Sequence, residues 1–177
     1  MIHVKTPYAL DKNLGRAYNQ AFEDIDERDW VCLIDHDVLF LTPDAIGLMY
    51  EYVRSFPETG IFTCLTNRIH PLAVDQLLDG RVNENTCIKY HQDRAYNQKR
   101  FGIKVTDIKH HISGFLMLIS KKTWREIKFS ESGRCLGVDN DFSANVLERG
   151  KKIYRMDSVY VWHSYRLNNI TDKTHLL

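Results

Sequence analysis

Short unbroken apolar runs alternate along this chain with stretches whose apolar residues recur every three or four positions, the pattern of an α/β fold. Val31, Cys32, Leu33 and Ile34 form one such run, as expected of a strand covered on both faces and central in its sheet. Ile2 to Lys5 predicts a first strand that breaks at Thr6-Pro7-Tyr8. Leu14, Ala17, Tyr18, Ala21, Phe22 and Ile25 then mark a helix, with Asp11 as its N-cap. Thr42-Pro43 predicts a second helix start, its inner face formed by Ile46, Met49, Tyr50 and Val53. Gly60 to Leu65 is another buried strand, ending at Thr66-Asn67-Arg68. Between His70 and Asp107 the pattern weakens to a short helix over 71–78 and a polar, Asn-rich, basic stretch, read as a mobile loop or an acceptor-facing insertion. Ser113 to Ile119 predicts a strand, Lys121 to Ile127 a helix, and Asp139 to Gly150 bracket another helix. Two short strands, Lys152 to Met156 and Val159 to Trp162, deliver His163 to a strand end.

The length of 177 residues suits one domain over 1–177. Hydrophobic residues at 44% and charged residues at 27% exclude a largely disordered chain. A net charge of +1 with no basic face implies neither a nucleic-acid partner nor an anionic membrane surface. No apolar run approaches the ~20 residues that span a bilayer, and the first residues lack a signal-peptide core. The chain is therefore expected to be cytoplasmic, with Met1 as a genuine start. Cys32, Cys64, Cys87 and Cys135 include no C-x-x-C pair and are expected to be reduced thiols.

Candidate chemistry concentrates where the first buried run ends, at Asp35-His36-Asp37. Ligands of α/β sheets sit beyond the carboxyl ends of the strands, and two carboxylates there suit a hard divalent cation such as Mg²⁺ or Mn²⁺. The plain alternative is an N-cap Asp beside a solvated turn acid. His163, at another strand end, is either a structural histidine or a third ligand.

Three strings in one order resemble a known family. Asn13-Leu14-Gly15-Arg16-Ala17-Tyr18-Asn19-Gln20-Ala21 is similar to an N-x-G helix, Asp35-His36-Asp37 to a D-x-D motif, and Ser113 to Ile119 with Gly137-Val138-Asp139-Asn140-Asp141 and Val161-Trp162-His163 to the elements that follow. Together they resemble glycosyltransferases of the GT-A fold, close to the inverting family-2 group. Thr6-Pro7-Tyr8 and Asp11 to Gly15 also resemble compact, phage-associated members. The resemblance implies a Rossmann-like, mixed and mostly parallel central sheet flanked by helices, with a shortened N-terminal nucleotide-binding part. It implies Mn²⁺ or Mg²⁺ held by Asp35, Asp37 and His163, and a nucleoside-diphosphate sugar donor such as UDP-glucose. The acceptor, whether glycan, protein or small molecule, is left open, as is a homodimer.

The same resemblance makes Asp139 the general base and Asp141 the second choice, although either also reads as an N-terminal helix acid. Val138 replaces the first acid of the family's pair. Tyr8 is expected to stack on or flank the base, with Thr6 and Pro7 beside it, and Asp11, Asn13 and Arg16 to reach ribose or diphosphate. Asp35, His36, Asn67, Arg68, Ser113, Gly114, Tyr165 and Arg166 complete the expected donor contacts. Two other readings stand beside this one: a nucleotide-sugar-binding module or partner-dependent subunit, and a metal phosphohydrolase built on Asp35, Asp37 and His110-His111.

Overall fold

The computed structural model describes residues 1–70, 73–133 and 135–165. A seven-stranded mixed sheet carries helices on its faces. Its strands are β1 (Ile2–Lys5), β2 (Trp30–Ile34), β3 (Val38–Phe40), β4 (Ile61–Thr66), β5 (Val105–Ile108), β6 (Leu116–Ser120) and β7 (Ile153–His163). The order is β1-β2-β6-β4-β7-β3, with β5 also on β7. The sheet is not mostly parallel. β1 with β2 and β4 with β7 pair parallel, whereas β2 with β6, β4 with β6, β3 with β7 and β5 with β7 pair antiparallel. The reason is the placement of β6, which returns between β2 and β4 and separates strands that point the same way.

The helices are α1 (Leu14–Gln20), α2 (Ala45–Ser55), α3 (Ile88–Lys99), α4 (Lys121–Glu126) and α5 (Val138–Glu148). Successive residues of a strand face opposite sides of the sheet, so β2 feeds both cores. Trp30 and Cys32 pack with Met49 and Tyr52 of α2. Val31 and Leu33 pack with Tyr18, Trp124, Phe142 and Val146 from α1, α4 and α5. This double coverage is why β2, β4 and β6 read as continuous apolar runs. On α2 the expected inner face of Ile46, Met49, Tyr50 and Val53 packs on the core that holds Trp30 and Cys32, and Tyr52 joins it fully buried, its hydroxyl accepting the Ser158 N–H at 3.0 Å.

Four local expectations change. Asn13, not Asp11, caps α1, its Oδ1 accepting the Arg16 N–H at 3.1 Å. The stretch expected as a loop contains α3, a polar helix whose buried members are His91 and Ala95. His91 is held through Nδ1 to the Tyr160 hydroxyl and through Nε2 to the Asn85 carbonyl, both at 2.7 Å. In place of a helix over 71–78, the described residues form 3₁₀ turns at Val74–Gln76 and Leu78–Gly80. The two terminal strands are one strand, β7, with a register shift: Cys64 faces Met156 but Leu65 faces Tyr160. The displaced Asp157 and Ser158 N–H groups find the Lys104 carbonyl and the Tyr52 hydroxyl instead.

All four cysteines are free, with Cys32 and Cys64 buried. Burial alone pushes the Cys32 thiol up to about 12. Among the described residues no helix is long and apolar enough to cross a membrane.

Candidate metal centre

β1, β2, β4 and β7 run in one direction, and the C-terminal ends of β2, β4 and β7 meet the N-terminal end of β6. Pairing of Ile34 with Leu116 puts Asp35 beside Phe115, whose carbonyl accepts the Asp35 N–H at 3.0 Å. The chain turns after Asp35, where the Val38 N–H returns to the Asp35 carbonyl at 3.2 Å, and β3 begins. Val38 then pairs with His163. Three residues from two distant parts of the sequence thus converge.

Asp35, Asp37 and His163 each offer one ligand atom, all within 4.8 Å of one another, and this cluster can hold a metal ion. The His163 Nε2 lies 3.3 Å from Asp37 Oδ1 and 3.9 Å from Asp35 Oδ2. Its Nδ1 donates to the Arg68 carbonyl at 3.0 Å, which fixes the ring with Nε2 turned toward the carboxylates. The ring is 2% exposed and stacks on Phe115, with Tyr165 5.5 Å away on centroids. Asn67, also buried, accepts the His163 backbone N–H through Oδ1 at 2.7 Å. Ser164 donates its backbone N–H to the Asp37 carbonyl and its hydroxyl to Asp37 Oδ2 at 3.2 Å. Oxygen and imidazole ligands suit Mg²⁺, Mn²⁺ or Zn²⁺ chemistry rather than a soft-metal site.

The two carboxylates are tuned apart. Burial pushes Asp35 above the ordinary carboxylate range, with the charges of Asp37 and Asp139 adding and that of His163 opposing. Because 43% of its side chain is open to solvent, water tempers that rise. Burial also works against ionisation of Asp37, but the hydrogen bond and charge of His163 prevail and hold it below the ordinary range.

Asp139 stands in the first turn of α5, and its Oδ2 accepts the Gly114 N–H at 2.7 Å. Burial is the main cause of its raised pKa, exceeding the lowering effect of the Gly114, Asn140 and Asp139 amides. A Cβ on Gly114 would lie 2.8 Å from the Asp139 Cβ, so glycine is what permits this approach. Asp141 is one turn-step further along α5 and half-exposed.

The remaining expected residues fall into three groups. Thr6, Pro7 and Tyr8 line a cavity of about 290 Å³ with Lys5, Ala17, Gln20 and Ala21. Asp11 pairs with Arg16 and Asn13 is occupied as the helix cap. His36 is exposed, Arg68 is buried against Glu84 at 2.7 Å, and Tyr165 neighbours His163. Arg166 lies outside the described residues. His110 bonds Asp75 at 2.7 Å, so the His110-His111 pair is not drawn into the Asp35, Asp37, His163 cluster.

Two contributors escaped the sequence reading. Gln76 is 1% exposed; its Oε1 accepts the Ser113 N–H at 2.8 Å and its Nε2 donates to the Ser113 carbonyl and to Thr63 Oγ1. It thereby fixes the peptide just before Gly114. Tyr18 is buried behind the site, its pKa raised by burial and then by the charges of Asp35 and Asp139. Tyr18 carries the signal of a core-facing helical aromatic and no more, and Gln76 sits in the weakly patterned stretch read as a short helix, where nothing points to Ser113.

No protein-family model matches the chain, and no curated protein matches it.

Proposed function

We propose that this chain is a metal-dependent glycosyltransferase of GT-A type that moves a sugar, most simply a hexose from a UDP-hexose, onto an acceptor hydroxyl with inversion. The observation that carries the reading is the convergence of Asp35, Asp37 and His163, with His163 presented by a backbone carbonyl in the ligating tautomer. These three residues would hold Mn²⁺ or Mg²⁺. A divalent cation there supplies positive charge against the departing diphosphate.

The chain's own residues account for the rest. Asp139 takes the proton of the acceptor hydroxyl as the new bond forms from oxygen to the anomeric carbon and the bond to the leaving diphosphate breaks. A carboxylate with a raised pKa is a stronger base than an ordinary one, which suits that task. The Gly114 N–H holds one Asp139 oxygen in place and Gln76 holds the Ser113 peptide beside it. The cavity lined by Thr6, Pro7 and Tyr8 is the natural seat for the nucleoside, with Tyr8 offering a ring 81% exposed.

The test is calorimetric titration of the chain and of Asp37→Ala with a panel of nucleoside-diphosphate sugars, each with Mn²⁺, Mg²⁺ or a chelator. Expected is binding of one donor only with metal, lost in Asp37→Ala. Equal donor binding by both proteins, or with and without chelator, would overturn the metal assignment.

A second reading has its own observation. β1 is an edge strand, and Tyr8 and Leu10 beyond it are 81% and 89% exposed. A nucleoside pocket completed by a partner would make the chain a nucleotide-sugar-binding subunit with little activity alone. Donor binding or turnover that appears only on adding a second protein would favour it.

A further inference from the structure

A second cavity, of about 270 Å³, lies between the 3₁₀ turns and α3. Its polar lining is Asp79, Arg81, Asn83, Glu84, Tyr90 and Arg94. The charges cancel, two arginines against two carboxylates, so the lining favours neither an anion such as a diphosphate nor a cation. It is instead a ring of hydrogen-bonding groups around an aromatic side chain. The Tyr90 hydroxyl accepts from Asn83 Nδ2 and from Arg94 Nη1, both at 3.1 Å. With both lone pairs used, its proton is left to donate outward. Asp79 and Glu84 are each held on one side, by Arg94 and Arg68 respectively, and retain further acceptor capacity. Arg81 is exposed and adds donors.

The cavity is tied to the candidate metal centre through two neighbouring residues, Asn67 and Arg68. The Asn83 N–H donates to the Asn67 carbonyl at 2.8 Å, while the Asn67 side chain accepts the His163 N–H. Glu84 pairs with Arg68, whose carbonyl fixes the His163 ring. One wall of the cavity is therefore the outer surface of the structure that holds His163. Asp79, also on the lining and paired with Arg94, takes φ 63°, a left-handed conformation uncommon for a side-chain-bearing residue.

We infer that this cavity binds a neutral, polyhydroxylated ligand, the glycosyl unit of the acceptor. That the ligand is an acceptor rests on the transferase reading; the sugar site does not. Paired donors and acceptors match vicinal hydroxyls, and Leu78, Val82 and the Tyr90 side chain add apolar lining for sugar C–H groups.

The experiment is saturation-transfer NMR on the full chain without metal or donor, using the methyl glycosides of glucose, galactose, mannose and N-acetylglucosamine as probes. One glycoside should bind, and Tyr90→Ala and the milder Asp79→Asn should each weaken it by about tenfold or more. Asp37→Ala should leave it unchanged. No binding by any of the four, binding unchanged in both cavity variants, or displacement of the glycoside by UDP-glucose with Mn²⁺ would overturn the inference. A glycoside bound here by a chain that binds no nucleotide sugar would keep the cavity's assignment and remove the transferase reading.

Discussion

Val38 and His163 are register partners across the β3–β7 pairing, and this places Asp37, one residue earlier, 3.3 Å from the His163 imidazole. A three-residue strand thus does the work of aligning two segments that share no local sequence. The consequence can be probed from behind the ligands as well as at them.

Asn67→Ala removes the buried oxygen that accepts the His163 N–H. Leaving that donor unpaired should cost about 1–3 kcal/mol of stability. With the His163 backbone no longer held, Mn²⁺ should bind roughly 10–100-fold more weakly, the usual effect of losing a supporting partner. Urea unfolding and Mn²⁺ titration of the same sample check both. Unchanged metal affinity would mean that Asn67 does not position His163 for the metal.

Asp139→Asn keeps an oxygen for the Gly114 N–H but cannot take a proton. Donor binding should persist while turnover falls about 10²–10⁴-fold. Stability should move in the other direction with a definite pH dependence. Burial raises the folded pKa of Asp139 above its unfolded value of about 3.9, so the folded state is penalised once the unfolded chain ionises. That penalty is absent below the unfolded value and complete above the folded one. The variant should therefore gain on the parent as pH rises from 3.5 to 7.5, as read by urea midpoints.

Gly114→Ala places a methyl group 2.8 Å from the Asp139 Cβ and 3.2 Å from its Oδ2. Asp139 must shift, and a misplacement on the scale of an ångström costs on the order of 10²-fold in rate. Mn²⁺ affinity at Asp35, Asp37 and His163 should stay at the parent value. Parallel loss of metal binding would show that the damage is general.

Gly15→Ala tests the packing of α1. Helix propensity alone would favour alanine by about 1 kcal/mol. The new Cβ would, however, sit 1.9 Å from the Ser130 carbonyl oxygen, a backbone atom that cannot swing aside. Overpacking of about 1–3 kcal/mol or more should win, lowering the urea midpoint.

The sequence made legible what is local and doubly buried. Val31 to Ile34 announced β2 because both faces of the sheet are covered, and the carboxylates at its end followed directly. β3 was hidden because three residues immediately after a turn carry no periodicity. α3 was hidden because only His91 and Ala95 of its twelve residues are buried, and His91 is satisfied by partners invisible to a helical-wheel argument. Antiparallel return of β6 could not be read from apolar runs, which look alike in either direction. Gln76 acts on Ser113, 37 positions away, and only the folded chain joins them.

The break in β7, where Met156 and Tyr160 face consecutive residues of β4, bears on how the site comes into being. Before the break the strand seals the sheet against β5; beyond it the strand closes the site against β3. Ser164 and Asp37 are 127 positions apart, so the candidate metal centre exists only once both distant segments are present and paired. Closing so long a loop is entropically costly and comes after the local elements are in place. A cation cannot template this fold from its first half; it can only lock a sheet that has already been completed.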